Sequence, residues 1–219
     1  MKKLTLAVAA LAFLSVQAFA GNHRGHENSP PAHPAAHHEK MGELSLGMGG
    51  NYSFAKDNRG TRMSDMGLAG GMQLMWHLNK HLAVGMDYTM MAPQAHSDFR
   101  DGAFDYNKLR AHHMDLAGKL TLLKGDKMSF YSPMGVGMSH ISLKSSGTRD
   151  GAPVAESKDK WGMNFYIGAG MQYDLSDGLF VGVEYRYYMP FIKTDDLSRF
   201  GKDRYMDFHN IGLRMGMRF

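Results

Sequence analysis

The sequence predicts an all-β protein: an eight-stranded antiparallel up-and-down transmembrane β-barrel, with short turns on one rim and long loops on the other. Three observations predict it. Apolar residues recur at every second position through eight segments between Glu43 and Phe219, as they do in strands with two unlike faces. Connections alternate between short turns and long polar stretches, the pattern of a barrel threaded from one side of a membrane. Beyond the first twenty residues no apolar run is long enough to cross a bilayer as a helix, which leaves a closed sheet as the way to satisfy the backbone in lipid.

The chain opens Met1-Lys2-Lys3, runs through an apolar stretch from Leu4 to about Val16, and reaches Ala18-Phe19-Ala20. A basic start, a short apolar core and an A-x-A exit make residues 1–20 an expected secretory signal peptide. Loss of Lys2 and Lys3 lowers Lys+Arg from 25 to 23 against 21 Asp+Glu, so the mature chain is near neutral and no nucleic-acid partner is indicated. The chain has no cysteine. Stability must therefore come from burial or a closed hydrogen-bonded sheet, not from disulfides.

Residues 21–41 are rich in His and Pro and poor in apolar side chains, a composition expected to stay disordered. A second reading makes this segment a loose metal-binding tail. The imidazoles of His23, His26, His33, His37 and His38 suit zinc, copper or nickel, although their spacing is not that of a fixed site. No other cofactor is indicated. The barrel is expected over residues 42–219.

Strand one carries Leu44, Leu46, Met48, Tyr52 and Phe54 on one face. Strand two carries Met66, Leu68, Met72, Leu74, Trp76 and Leu78, and strand three follows after Asn79-Lys80 with Leu82, Val84, Met86, Tyr88 and Met90. Strand four shows Met114, Leu116, Leu120 and Leu122 and turns at Lys124-Gly125-Asp126. Strand five shows Met128, Phe130, Met134, Val136 and Met138, with Pro133 predicting a bulge or kink because proline cannot donate to a ladder. Strand six shows Met163, Phe165, Ile167, Ala169, Met171 and Tyr173; strand seven, after Ser176-Asp177-Gly178, shows Leu179, Val181, Val183, Tyr185 and Tyr187. The last segment, from Asp203, places Ile211, Leu213, Met215, Met217 and Phe219 outward and Arg214 and Arg218 inward. Long polar loops are expected near 55–65, 91–108, 144–160 and 189–203. Aromatic residues gather at strand ends, as in interfacial girdles: Tyr52, Phe54, Tyr88, Trp161, Tyr185, Tyr187 and Tyr205 on the loop side, and Trp76, Phe130, Tyr173 and Phe219 on the turn side.

The inward phase holds Asp87, Asp115, Lys119, Glu184, Arg186, Arg214 and Arg218. Opposite charges can compensate one another in a narrow interior, where a lone charge is costly. Glu184 and Arg214 lie at similar heights on neighbouring strands and are expected to pair. The cluster reads as a structural plug, with a gate as the alternative. The abundant methionines are expected mostly outward, as flexible apolar surface.

The segment FYIGAGMQYDLSDGLFVGVEYRYY, Phe165 to Tyr188, and the terminal IGLRMGMRF resemble the small outer-membrane β-barrel family typified by the OmpA membrane domain and OmpX-like porins. The resemblance runs from about residue 43 to 219 and implies a location in the outer membrane of a Gram-negative cell. It also implies that Phe219 closes an insertion signal read by the outer-membrane insertion machinery. The chain ends at the barrel, so the peptidoglycan-binding domain of full-length relatives is expected to be absent. Members of the family differ in function. The expectation here is a monomeric, non-enzymatic protein for envelope integrity or surface interaction, in contact with outer-membrane lipid and lipopolysaccharide. Its charged loop residues are Lys56, Asp57, Arg59, Arg62, Arg100, Asp101, Arg149, Asp150, Lys158 and Asp159. They are expected to contact lipopolysaccharide phosphates or host molecules, with Arg59, Arg62 and Arg149 the residues whose neutralisation tests the lipopolysaccharide contact. A narrow pore for small solutes is the alternative. A lipid A acyl hydrolase is a third reading: His140 and Ser142 resemble the His-x-Ser of barrel deacylases, but Leu143-Lys144 depart from that family's continuation and Glu156 is the acid at a comparable distance.

Overall fold

The computed structural model describes residues 41–53, 66–100, 103–149, 152–193 and 205–219. The expected signal peptide, the five histidines of the 21–41 segment, Phe54, Lys56, Asp57, Arg59, Arg62, Asp101 and Asp150 lie outside the described residues. Among those described, the strands are β1 Gly42–Tyr52, β2 Gly67–His77, β3 Leu82–Arg100, β4 Ala103–Lys124, β5 Met128–Arg149, β6 Ala152–Asp174, β7 Leu179–Pro190 and β8 Phe208–Arg218. Each pairs antiparallel with its sequence neighbour, and β1 pairs with β8 from Glu43↔Arg218 to Tyr52↔His209, closing the barrel. At the lower rim the closure ends in a reciprocal pair of backbone hydrogen bonds of 2.9 Å between Gly42 and Phe219. Closure leaves no sheet edge in the spanning zone, the condition hydrocarbon imposes on a β-structure.

The two faces are chemically opposite. Leu46, Met48, Leu68, Met86, Leu116, Val136, Met163, Val183, Ile211, Leu213 and Met215 are exposed on the outside, whereas Glu43, Gln73, Asp87, Asp115, Lys119, Glu184, Arg186 and Arg214 are buried inside. A soluble protein buries the first set and hydrates the second. The inverted arrangement suits a barrel whose outer solvent is lipid. Not every methionine follows the outward pattern: Met75, Met91 and Met206 are buried.

The lower turns are short. Asn79 Oδ1 accepts from the backbone N–H groups of His81 (2.8 Å) and Leu82 (2.9 Å) between β2 and β3. Gly178, with φ of 111°, takes the left-handed position in the turn between β6 and β7.

Two expectations need correction. Most of the stretches 91–108 and 144–160 are strand, not loop: β3 and β4 pair up to Arg100↔Ala103, and β5 and β6 up to Arg149↔Ala152. The physical reason is an inversion of the pattern. Above the lipid zone the outer face of the sheet meets water, so Lys108, Arg110 and Lys144 point outward while Leu109, Ala111, Ile141 and Leu143 are buried inside. The second correction concerns Pro133. The β5–β6 register is the same on both sides of it, Tyr131↔Gly170 and Met134↔Ile167, so there is an interrupted ladder but no bulge. The carbonyl of Gly168, which faces Pro133 in that register, accepts from Ser132 Oγ at 2.9 Å and so remains satisfied. The register shift between β4 and β5 falls in β4 instead, between Thr121 and Leu123.

Strands β1, β2, β7 and β8 run 11 or 12 residues, whereas β3 to β6 run 19 to 23. A tilted strand of about 9–11 residues spans a bilayer. The four longer strands therefore continue beyond it as one sheet, about ten residues taller than their neighbours.

Candidate functional site: a charged lumen under an apolar cap

Eight strands enclose a space that side chains can fill, and inward residues from all eight meet there in layers. In the lowest layer, Arg218 donates to both oxygens of Asp174 at 3.0 Å each. Above it, Lys119 of β4 reaches Glu43 of β1 at 2.8 and 3.0 Å and Gln172 of β6 at 2.8 Å. His77 Nε2 and Arg218 Nε lie 3.4 and 3.7 Å from the same Glu43 carboxylate. The Lys119 ammonium also sits 4.6 Å from the Tyr131 ring centroid, which adds a cation–π contact.

The middle layer is built on Arg186. Its Nη1 donates to Asp87 Oδ1 at 2.7 Å and its Nε to Glu184 Oε1 in a short contact. Asp87 is on β3 and Arg186 on β7, on opposite walls of the ring, so this bond is a strut across the lumen. Glu184 is held further by Arg214 Nη2 at 3.1 Å and by the Tyr131 hydroxyl at 2.9 Å. Arg214 Nη1 reaches Ser45 Oγ at 3.0 Å. The Thr89 hydroxyl donates to Asp87 at 3.0 Å, and the Tyr188 hydroxyl accepts from Arg186 Nη1 at 3.0 Å. The tyrosine rings fit because glycines lie beneath them: a Cβ at Gly170 would strike the Tyr131 ring, and one at Gly135 the Tyr166 ring.

A third layer closes over the charges. Asn164 Nδ2 donates to Asp115 at 2.9 Å, and His113 Nδ1 shares a hydrogen bond of 2.6 Å with Ser139 Oγ. The His113 ring stacks on Tyr188, with centroids 4.5 Å apart. Higher still, Met91, Leu109, Ile141, Leu143, Ile192 and Phe208 form one buried apolar cluster. Next to the middle layer is a cavity of about 20 Å³ bordered by Thr89, Glu184, Arg186, Tyr188 and Arg214, room for about one water.

All seven charged residues picked out from the sequence face this interior, and Glu184 meets Arg214. Sequence reasoning missed Glu43, Gln172, Tyr131 and Tyr188 as partners. Glu43 shares the inward phase of Ser45, and Tyr188 that of Arg186, so the phase was the available signal. Which residues meet across the ring was not readable from neighbouring strands.

The proposed nucleophile pair lies elsewhere. His140 and Ser142 are on the outer face of β5, above the lipid zone. The His140 ring stacks on Trp161 with centroids 4.6 Å apart, and its Nε2 lies 3.8 Å from Asp159. Glu156, the acid first considered, pairs with Lys158 at 3.0 Å. Arg100 and Arg149 are at the tips of the two ribbons. Among the described residues, no group of three or more His, Asp or Glu is placed to hold a metal ion.

Comparison with known proteins agrees with the architecture. Ail, the attachment invasion locus protein of Yersinia pestis, is similar at 16% identity and a TM-score of 0.50, over 82% of this chain and 99% of that one. Neisserial surface protein A is similar at 11% identity and a TM-score of 0.50, over 83% of this chain and 98% of that one. At these identities the likeness is one of fold. No match was found among curated protein sequences. A family model described as the outer membrane protein β-barrel domain matches residues 6–219. The chain therefore belongs to the outer-membrane protein β-barrel domain family and resides in the outer membrane.

Proposed function

We propose that the protein is a sealed, non-enzymatic barrel that holds the four-stranded sheet of β3 to β6 outside the cell as a surface for interaction, and that its lumen serves stability, not transport. The observation that carries this reading is the filling of the lumen: struts from Arg186 to Asp87 and from Lys119 to Glu43 cross it, and an apolar cluster from Met91 to Phe208 lies over them. A path for solutes would have to break buried ion pairs and then cross a dry apolar layer. The tall ribbons need a rigid base, and cross-lumen struts provide one.

The alternative, a narrow pore, makes the opposite prediction in planar bilayers. Purified protein is expected to give no steady conductance, and Glu184→Ala, which removes the acceptor shared by Arg186, Arg214 and Tyr131, is expected to raise only brief openings. Steady, ion-selective conductance of the wild type would overturn the sealed reading.

A further inference from the structure

A ladder of cations climbs the outer wall of the barrel immediately above the lipid zone. On the outward face of β4 and β5 the paired rows are, going up, Met114↔Met138, His112↔His140, Arg110↔Ser142 and Lys108↔Lys144. Strand β6 continues the first two rows with Met163 and Trp161. Successive rows are about 7 Å apart along the strands. The methionines are exposed apolar surface. The His112, His140 and Trp161 rings form the kind of amphipathic row that takes the headgroup level, and His112 is tied to Tyr88 by a hydrogen bond of 2.9 Å. Lys108, Arg110 and Lys144 above it are all exposed.

Their arrangement is unfavourable as it stands. Lys108 and Lys144 are directly opposite one another, and like charges on facing residues repel at about 5 Å. Arg110 is their diagonal neighbour. Among the described side chains, no carboxylate forms an ion pair with any of the three. The acid in these rows is Asp159 of β6, which faces Ser142 at the far end of the Arg110 row and lies 3.8 Å from His140 Nε2 in the row below. These cations face outward from the wall, not into the lumen, and the apolar rows of Met114, Met138 and Met163 run on below them.

We propose that Lys108, Arg110 and Lys144 bind the phosphorylated sugar head of an outer-leaflet glycolipid, whose acyl chains lie over Met114, Met138 and Met163. The Arg110 fork suits bidentate contact with phosphate, and the two lysines act as point charges beside it. Continuity with the apolar rows selects a lipid over a free anion, because a soluble phosphate gains nothing from the methionines. This site differs from the Arg59, Arg62 and Arg149 contacts expected from the sequence, and it stands whether or not the lumen conducts.

The test is native mass spectrometry of the purified protein in detergent with diphosphoryl lipid A, fully dephosphorylated lipid A and pyrophosphate. The triple variant Lys108→Gln, Arg110→Gln, Lys144→Gln is expected to lose diphosphoryl lipid A affinity by about tenfold to a hundredfold. Lys158→Gln with Lys160→Gln, which removes charge from the inward phase of the ribbon, is expected to bind as wild type. The heat-dependent gel shift of a closed barrel checks folding; if the triple variant fails it, Arg110→Gln alone is expected to weaken binding severalfold. Wild-type affinity in the folded triple variant, or in Arg110→Gln where the triple does not fold, overturns the proposal. So does an equal loss in the Lys158/Lys160 control, or pyrophosphate binding as tightly as lipid A.

Discussion

Arg186→Met is expected to cost about 3–5 kcal/mol of unfolding free energy, among the largest losses for any single change in this barrel. The substitution keeps side-chain length and apolar packing against Tyr166, whose ring lies 4.8 Å from the guanidinium carbon. It leaves Asp87 without its 2.7 Å partner and Glu184 with Arg214 and Tyr131 alone. A buried carboxylate that loses its counter-charge keeps its full desolvation cost, so the loss exceeds what the pair contributed as a unit. Arg186→Lys is expected to cost less than Met but to remain clearly destabilising, since one ammonium cannot span the carboxylates of opposite walls as the planar fork does. Urea unfolding in phospholipid vesicles measures both. A methionine variant as stable as wild type would mean that the strut is incidental.

The second large effect lies on the other face of the same wall. Leu116 is outward and 67% exposed, midway up the spanning part of β4, and Leu116→Arg is expected to destabilise by about 2–4 kcal/mol in lipid. Met114→Arg, one row nearer the upper rim, is expected to cost less because the side chain can reach the headgroups. Leu116→Phe is expected to be near neutral. Vesicle unfolding of the three variants checks the order, and equal costs at Leu116 and Met114 would contradict a depth-dependent lipid contact.

The fold was legible because one solvent acts on each face throughout the spanning zone. Leu213, Met215 and Met217 alternate with Gly212, Arg214 and Gly216, and that alternation alone gives the strand, its phase and the side on which the arginines lie. Above the lipid the same logic hid the ribbons. Outward Lys108 and Arg110 alternate with inward Leu109 and Ala111 as regularly as any spanning pair, but with the apolar phase reversed. A search for apolar residues on the outward phase reads such a stretch as loop. The reversal is itself informative, since it falls between Met114 and Arg110 on β4 and between Met138 and Ser142 on β5, where the membrane surface lies.

The lumen was half legible. Phase named the charged residues, and adjacency of β7 and β8 gave Glu184 to Arg214. Asp87 to Arg186 and Glu43 to Lys119 join strands that are neither sequence neighbours nor partners. Their meeting depends on barrel diameter and stagger, which no local pattern encodes. At Pro133 the ladder is interrupted without a bulge for a simpler reason: the Gly168 carbonyl, left without a backbone donor, is satisfied by Ser132 Oγ, and the register does not change.

The account rests on the outward residues facing hydrocarbon while the charges face inward, and the chain's two tryptophans report on this directly. Trp76 and Trp161 are both outward and exposed, Trp76 by the lower turns and Trp161 beside His140 at the upper rim. In vesicles containing lipids brominated at different acyl positions, Trp76→Phe and Trp161→Phe leave one fluorophore each to be measured alone. Both are predicted to be quenched more strongly by bromines near the headgroup end than by bromines near the chain terminus. Absence of quenching from either tryptophan, or a quenching maximum at the bilayer centre, would contradict it.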